Sequence, residues 1–205
     1  FWDLAPFIQH TKRLFYPKLL ENFSEGTKLG ALPITFSPVF LAYNPHLFEQ
    51  AGIVHPQHQW GMSEMLDASA KLTQDTNGDG IPDRYGFSLS PIYTRWPIIA
   101  LQNGVDFHQL SEHKAELHRT LAFLHEFLYL RKAAILHIKN RNSNNMEPFV
   151  TENAGMMLTT TLELGAWRED PMRFEPQTVP IAFGPHSSTM LVANAFMIHE
   201  KSPEH

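Results

Sequence analysis

The chain has 205 residues, with 16 basic and 21 acidic side chains, a formal net charge of −5 and no cysteine. The lack of cysteine excludes a disulfide framework, a thiolate zinc site and a cysteine nucleophile. The mild acidity, without a basic stripe, argues against direct contact with nucleic acid. No apolar run approaches the ~18 residues of a membrane-spanning helix, so no transmembrane segment is predicted.

Helical and extended periodicities alternate along the chain, which predicts a mixed α/β fold. The first half predicts a helix interrupted near Pro17 within 7–23, a strand within 32–43, a helix over 45–50, a helix capped by Ser63, a loop over 73–86 and a strand over 85–89. The second half predicts a helix over 95–104, the longest helix within 111–132, a loop over 140–145, a strand over 154–161, a helical turn over 162–168, an extended segment over 173–183 and a strand over 190–198. Pro38 removes a hydrogen-bond donor from the middle of the 32–43 strand and predicts a bend or an edge there.

The most specific local motif is a loop that resembles the first nine positions of an EF-hand. Its candidate calcium ligands stand at alternate positions: Asp75, Asn77, Asp79, the carbonyl of Ile81, and Asp83. Gly86 occupies the twelfth position, where an EF-hand carries a bidentate acid. Asp, Asn and Gly also build solvated turns without a metal. Two interpretations therefore stay open, a weak calcium site and a plain turn; no cofactor is required by either.

Enzymatic chemistry finds little support in the sequence. The twelve histidines form no helical i, i+4 pair of the kind that binds zinc. Neither a Gly-rich phosphate loop nor a Gly-x-Ser-x-Gly elbow is present. We therefore expect a binding protein. Aromatic faces stack on sugars, and Trp96, next to Tyr93 and Arg95, is the best candidate for such a contact, with a place in the core as the alternative.

Several segments, in order, resemble the extracellular solute-binding proteins of ABC transporters, the family-1 sugar-binding group that is maltose-binding-protein-like. The segments are LAPFI (4–8), LPITFSPVFLAYN (32–44), WGMSEMLDASAKLT (60–73), DTNGDGIPDRYGF (75–87), QNG (102–104) and FVTENAGMM (149–157). Each segment alone is weak, but the ordered set covers nearly the whole chain. Because members of the group run to roughly twice this length, the resemblance implies that the chain is a fragment.

The resemblance implies a periplasmic-binding-protein-like (type II) α/β fold, comprising mainly the second lobe and part of the first. It places the end of the first lobe and the hinge entry at 1–37, the second lobe at 38–186 and the return crossing at 187–205. Ligand is then expected between the lobes, whose hinge motion closes on it. The ligand-binding residues carried over by position are Phe36, Ser37, Tyr93, Arg95, Trp96, Thr159, Thr160 and Thr161. At 159–161 the family usually has a Gly-x-Trp wall, and here Gly165 and Trp167 lie downstream.

Two functions follow from the resemblance. In the first, the protein captures a small polar solute, a sugar or oligosaccharide, outside the cytoplasm and delivers it to an ABC permease. It would then be held at the membrane by an upstream lipoprotein segment. In the second, the same fold is the effector-binding domain of a cytoplasmic transcriptional regulator, and this fragment itself does not touch nucleic acid.

Overall fold

The computed structural model describes residues 1–56, 60–91, 95–138, 147–166, 172–181 and 183–202. The chain divides into two compact units, one formed by Phe1–Ser37 with Leu191–His205 and the other by Pro38–Met190. Within the described ranges, no helix combines the length and the apolar character needed to cross a membrane.

The first unit contains short helical turns, one α-helix and a small sheet. Two 3-10 turns, Ala5–Ile8 and Lys12–Leu14, precede helix α1 (Pro17–Asn22), and strands β1 (Ser24–Glu25) and β2 (Lys28–Leu29) form an antiparallel hairpin. The apolar core of the first unit contains Leu4, Ile8, Leu20 and Leu29. Because only 3-10 turns lie before Pro17, the α-helix predicted within 7–23 is wrong for that part of the segment. Because a proline pushes the residue before it out of the helical region, Tyr16 is extended at ψ 122° and α1 begins after it.

The long strand β3 (Leu32–Tyr43) begins in the first unit and ends in the second. Strand β8 (Leu191–Phe196) pairs with it, and in the first unit Asn194 Nδ2 donates to Thr35 Oγ1 at 3.0 Å. The strand runs continuously through Pro38, the residue at which the chain enters the second unit.

The second unit is built on a mixed sheet in the order β5-β4-β6-β3-β7. The bounds of its strands are β4 (Tyr85–Leu89), β5 (Ala134–Leu136), β6 (Ala154–Thr160) and β7 (Gln177–Val179). Strand β4 pairs in parallel with β5 and β6, whereas β3 pairs antiparallel with β6 and β7. This arrangement confirms the mixed α/β class and the strands predicted over 85–89 and 154–161.

Helices α2 (Pro45–Gln50), α3 (Met62–Leu72), α4 (Trp96–Gln102), α5 (Lys114–His125) and α6 (Thr161–Ala166) accompany this sheet. The helix over 45–50 is confirmed, and the first of its N–H groups, that of His46, donates to Asn44 Oδ1 at 3.0 Å. The predicted Ser63 cap is wrong. Helix α3 is capped at Gly61, where Glu64 Oε2 accepts the backbone N–H at 2.9 Å.

The core of the second unit is aromatic and close-packed. Phe87 of β4 lies 5.4 Å from Phe127 and 6.2 Å from Phe183, measured between ring centroids. Phe127 belongs to a π-helical turn, Glu126–Leu130, which ends the long helix predicted within 111–132. A Cβ on Gly86 would stand 2.1 Å from the Ser69 carbonyl oxygen, so only glycine lets α3 approach β4 this closely.

Candidate functional site

The carboxyl ends of β4, β5 and β6 lie at one edge of the sheet, because β4 is parallel to both of its neighbours. In α/β sheets this is the edge at which ligands bind. Polar side chains follow or end all three strands there, and with their partners they form what we call the carboxyl-edge cluster: Ser88, Arg95, His137, Glu147, Thr159, Thr160 and Glu163.

The centre of the carboxyl-edge cluster is an ion pair between Arg95 and Glu163. Arg95 is only 2% exposed, and its Nε donates to the Leu158 carbonyl oxygen at 3.0 Å. Its Nη2 donates to Glu163 Oε2, which also accepts the hydroxyl of the buried Thr159 at 3.0 Å. A buried guanidinium needs such a partner, because its charge loses the solvation that water supplies.

Local sequence also fixes the position of Glu163. The Thr160 hydroxyl accepts the Glu163 backbone N–H at 3.3 Å, and Glu163 Oε2 accepts the Thr160 backbone N–H at 3.2 Å. These reciprocal bonds form a capping box at the start of α6, directly after β6 ends. Nevertheless, the Glu163 side chain is 40% exposed, so the carboxylate is anchored from within and open to solvent.

Glu147 links the ends of β4 and β5. The Ser88 hydroxyl donates to its Oε1, and His137 Nε2 lies 3.6 Å from its Oε2. Burial raises the pKa of the Glu147 carboxyl above the ordinary value of 4.5, and the Glu163 charge acts in the same direction. Ser88 and His137 oppose that rise by stabilising the charged form. In the cluster, burial thus disfavours the charged form of Glu147, whereas Arg95 balances the charge of Glu163.

The structure brings three of the predicted ligand-binding residues together. Arg95, Thr159 and Thr160 all bond to Glu163, so their polar groups support that carboxylate. Thr161 is exposed and begins α6.

Trp96 is the first residue of α4 and is half-buried, with its ring at 6.3 Å from that of Phe107 in an edge-to-face contact. Tyr93, another predicted ligand-binding residue, lies outside the described residues, and so does Trp167, which follows the expected wall.

Phe36 and Ser37 belong to the first unit. The Phe36 ring is 39% exposed and meets Tyr16 edge to face at 5.2 Å, whereas Ser37 is fully buried. An exposed aromatic ring is available for stacking, and a buried serine is not directly accessible from solvent. They remain predicted ligand contacts.

Sequence reasoning missed four members of the carboxyl-edge cluster, namely Ser88, His137, Glu147 and Glu163. One local signal was available, because Thr160 and Glu163 have the Ser/Thr-x-x-Glu spacing of a capping box. The others come from separate segments, with Ser88 and Glu147 separated by 59 positions. No spacing rule applies to such a pair.

The loop from Asp75 to Asp83 is exposed, and its acids satisfy its own backbone. Asp75 accepts the backbone N–H groups of Gly78 and Gly80 at 2.7 and 2.8 Å, and Asp79 accepts that of Ile81 at 2.8 Å. Across the described part of the chain, no three His, Cys, Asp or Glu side chains are placed to hold a metal ion together. These bonds are those of a turn stabilised by Asx side chains.

The architecture defines a periplasmic-binding-protein-like α/β fold, and comparison with solved structures shows the same fold. The chain is similar to an ABC substrate-binding protein from Listeria monocytogenes in complex with cycloalternan (TM-score 0.81, 20% identity, 98% of this chain and 52% of that chain). It is also similar to UgpB from Mycobacterium tuberculosis in complex with glycerophosphocholine (TM-score 0.76, 18% identity, 95% and 49%). A third similar structure is a solute-binding protein from Thermotoga lettingae bound with α-D-tagatose (TM-score 0.74, 16% identity, 98% and 54%).

The chain belongs to the bacterial extracellular solute-binding protein family, whose model matches residues 3–204. It spans about half the length of the solved structures that it resembles. A comparison with curated protein sequences gives no significant match.

Proposed function

We propose that the protein binds a small polar solute, a sugar or an oligosaccharide, for delivery to an ABC importer. The observation that carries this proposal is the family match over residues 3–204. The solved structures of the same fold support a sugar, since their ligands include cycloalternan and α-D-tagatose. The glycerophosphocholine bound by a third shows that the fold also accommodates another solute class.

The family supports a place outside the cytoplasm and favours the transporter-associated function over that of a regulator's effector domain. A solute-binding role is recognition without chemical conversion, and the family match supports that role. Anchoring by an upstream lipoprotein segment and docking to a permease are parts of the proposal.

The carboxyl-edge cluster offers groups suited to hydroxyl-rich ligands. Carboxylates accept hydrogen bonds from hydroxyl groups, and threonine hydroxyls both donate and accept them. Trp96, close in sequence to Arg95, contributes an aromatic face of the kind that binding pockets combine with a few polar groups. We therefore place Trp96 in the solute site, with Arg95, Thr159 and Thr160 supporting the polar side of it.

Substitution of Trp96 by alanine tests this placement. Loss of a stacking face costs about 1–3 kcal/mol in base–aromatic systems, and we expect a comparable loss of sugar affinity, about 5- to 150-fold. Calorimetric titration of the full-length protein and the variant with cycloalternan, mannobiose and D-tagatose measures the change.

Trp60→Ala is the matched control, because Trp60 packs against Phe48 at 6.2 Å between ring centroids. It should lower the melting temperature and leave sugar affinity nearly unchanged. If Trp96→Ala behaves as Trp60→Ala does, Trp96 is a core residue and its place in the site is refuted. If the unmodified protein binds none of the sugars, the proposed function itself is contradicted.

A further inference from the structure

Glu163 is the one acid of the carboxyl-edge cluster whose carboxylate is both anchored and substantially exposed. The described bonds from Arg95 Nη2, Thr159 Oγ1 and the Thr160 amide all reach the same oxygen, Oε2. Glu163 nevertheless keeps 40% of its side-chain surface exposed. A carboxylate side chain that is already fixed through one oxygen loses little conformational entropy when a ligand binds to its second oxygen.

We propose that Glu163 is a solute-binding residue whose Oε1 accepts a ligand hydroxyl, and that it makes the site selective for uncharged polyhydroxy solutes over phosphate-bearing ones. The proposal rests on the proposed function and names its substrate class. It adds to the site a residue that the sequence motifs did not indicate.

The selectivity follows from where the charges lie. A phosphate needs hydrogen-bond donors and positive charge, which a guanidinium supplies in bidentate form. Arg95 cannot offer this to a ligand, because it is 2% exposed and its Nε and Nη2 bond to the Leu158 carbonyl and to Glu163. What faces solvent from this pair is the carboxylate, which attracts the hydrogen atoms of hydroxyl groups and repels an anion.

Glu163 could instead serve only to cap α6, and substitution by glutamine separates the two roles. Glutamine keeps the length and an oxygen that can accept the Thr160 amide, so the capping geometry can persist. The negative charge is lost, and with it the charge-assisted bond to a hydroxyl. Hydrogen bonds to charged groups are the stronger class, so Glu163→Gln should weaken sugar binding about tenfold.

The experiment is a set of calorimetric titrations on the full-length protein and its variants. The probes are cycloalternan, mannobiose and D-tagatose as uncharged solutes, and sn-glycerol 3-phosphate as the phosphate-bearing one. We expect the unmodified protein to bind at least one sugar more tightly than the phosphate. In Glu163→Gln, the ratio of sugar affinity to phosphate affinity should fall about tenfold or more, because sugar binding weakens and phosphate binding strengthens.

Glu126→Gln is the matched control, since Glu126 is also 40% exposed and pairs with an arginine, Arg131, at 3.2 Å. It should leave every affinity unchanged. Unchanged sugar affinity in Glu163→Gln, together with a lower melting temperature, would show that Glu163 only caps α6 and pairs with Arg95, and would overturn the inference. Stronger binding of the phosphate than of every sugar by the unmodified protein would overturn the substrate class while leaving solute binding intact. Failure to bind any of the four probes would refute the proposed function, and the inference with it.

Discussion

The carboxyl-edge cluster and the loop from Asp75 to Asp83 are both rich in acids, yet their carboxylates bond to different partners. In the loop, Asp75 accepts backbone N–H groups three and five residues away. In the cluster, Glu163 accepts from Arg95, which is 68 positions away in the chain. The loop acids bond within the loop, whereas the cluster also joins segments that the sheet brings together from distant parts of the chain.

This difference also sets the energetic weight of the two regions. Exposed acids in a turn remain solvated, and such hydrogen bonds contribute little net stability. A buried guanidinium has lost its water, so removal of either partner leaves groups without the bonds they made. Substitutions in the carboxyl-edge cluster should therefore have larger effects than substitutions in the loop.

The largest expected effect is that of Arg95→Met. The variant leaves the buried Leu158 carbonyl without its side-chain donor and removes the partner of Glu163. A hydrogen bond to a charged group contributes about 1.5–3 kcal/mol to stability. Because Glu163 is 40% exposed and can be rehydrated, we expect a loss of about 2 kcal/mol in the free energy of unfolding rather than the larger loss of a fully buried pair.

Urea unfolding followed by circular dichroism measures this loss. Arg131→Met is the control, because Arg131 is 53% exposed in its pair with Glu126 and should cost less than about 1 kcal/mol. Equal losses in the two variants would remove the distinction between a buried and a surface arginine on which the comparison depends.

The same contrast explains what the sequence could predict. Locally encoded features were accessible: the helix over 45–50, which Asn44 caps and Gly52 follows, and the strand over 85–89 are confirmed. The family resemblance and the fold class are confirmed as well, because they depend on an ordered series of local segments.

The failures have equally specific causes. Strand β5 has only three residues, Ala134–Leu136, too few to show a period, and it exists because it pairs with β4. The Ser63 cap is wrong because α3 begins at Met62 and is capped two residues earlier than Ser63, at Gly61, whose N–H donates to Glu64. Glu147 and His137 were missed as site residues because their proximity depends on parallel strand pairing, which no motif records.

A second, smaller effect concerns pH and Glu147. Burial raises the pKa of Glu147 in the folded protein above its ordinary value of 4.5, so the folded state holds this proton more tightly than the unfolded state does. Stability from this group is therefore present at acidic pH and is lost as pH rises from 4.5 through the raised pKa. Glu147→Gln removes that titration, so the variant should gain stability relative to the unmodified protein as pH increases.

Urea unfolding at several pH values between 4 and 8 measures this relative gain. The groups acting on Glu147 are Ser88, His137, Glu163 and the backbone N–H of Phe149, and none of them is substituted in the variant. Glu64→Gln provides a control of opposite sign, because backbone N–H groups, its own and that of Gly61, lower the pKa of Glu64. Because this pKa lies below 4.5, the relative stability of Glu64→Gln should fall as pH rises toward 4.5 and stay level above it, so its series extends below pH 4. Parallel pH profiles for Glu147→Gln and the unmodified protein would contradict the prediction.

The smallest effect is expected in the loop, on addition of calcium. We predict binding only in the millimolar range, since the loop lacks the twelfth-position acid that strengthens EF-hand sites. Packing explains that lack: Gly86 holds the position, and a Cβ there would stand 2.1 Å from the Ser69 carbonyl oxygen. A positively charged side chain already bonds to the loop, because Lys132 Nζ donates to the Gly80 carbonyl at 3.2 Å.

Calcium at a concentration equal to a millimolar Kd would add about 0.4 kcal/mol to the free energy of unfolding. Calorimetric titration and thermal unfolding with calcium or magnesium measure the effect, and Asp79→Ala should abolish it by removing a candidate ligand. Micromolar affinity would contradict the prediction and would mean that the acids exchange their backbone bonds for the ion at little cost. The prediction would also be contradicted if calcium at about ten times the millimolar Kd produced neither heat in the titration nor a shift of the melting temperature. The loop would then act as a turn alone, held by the Asp75 and Asp79 bonds to its own backbone.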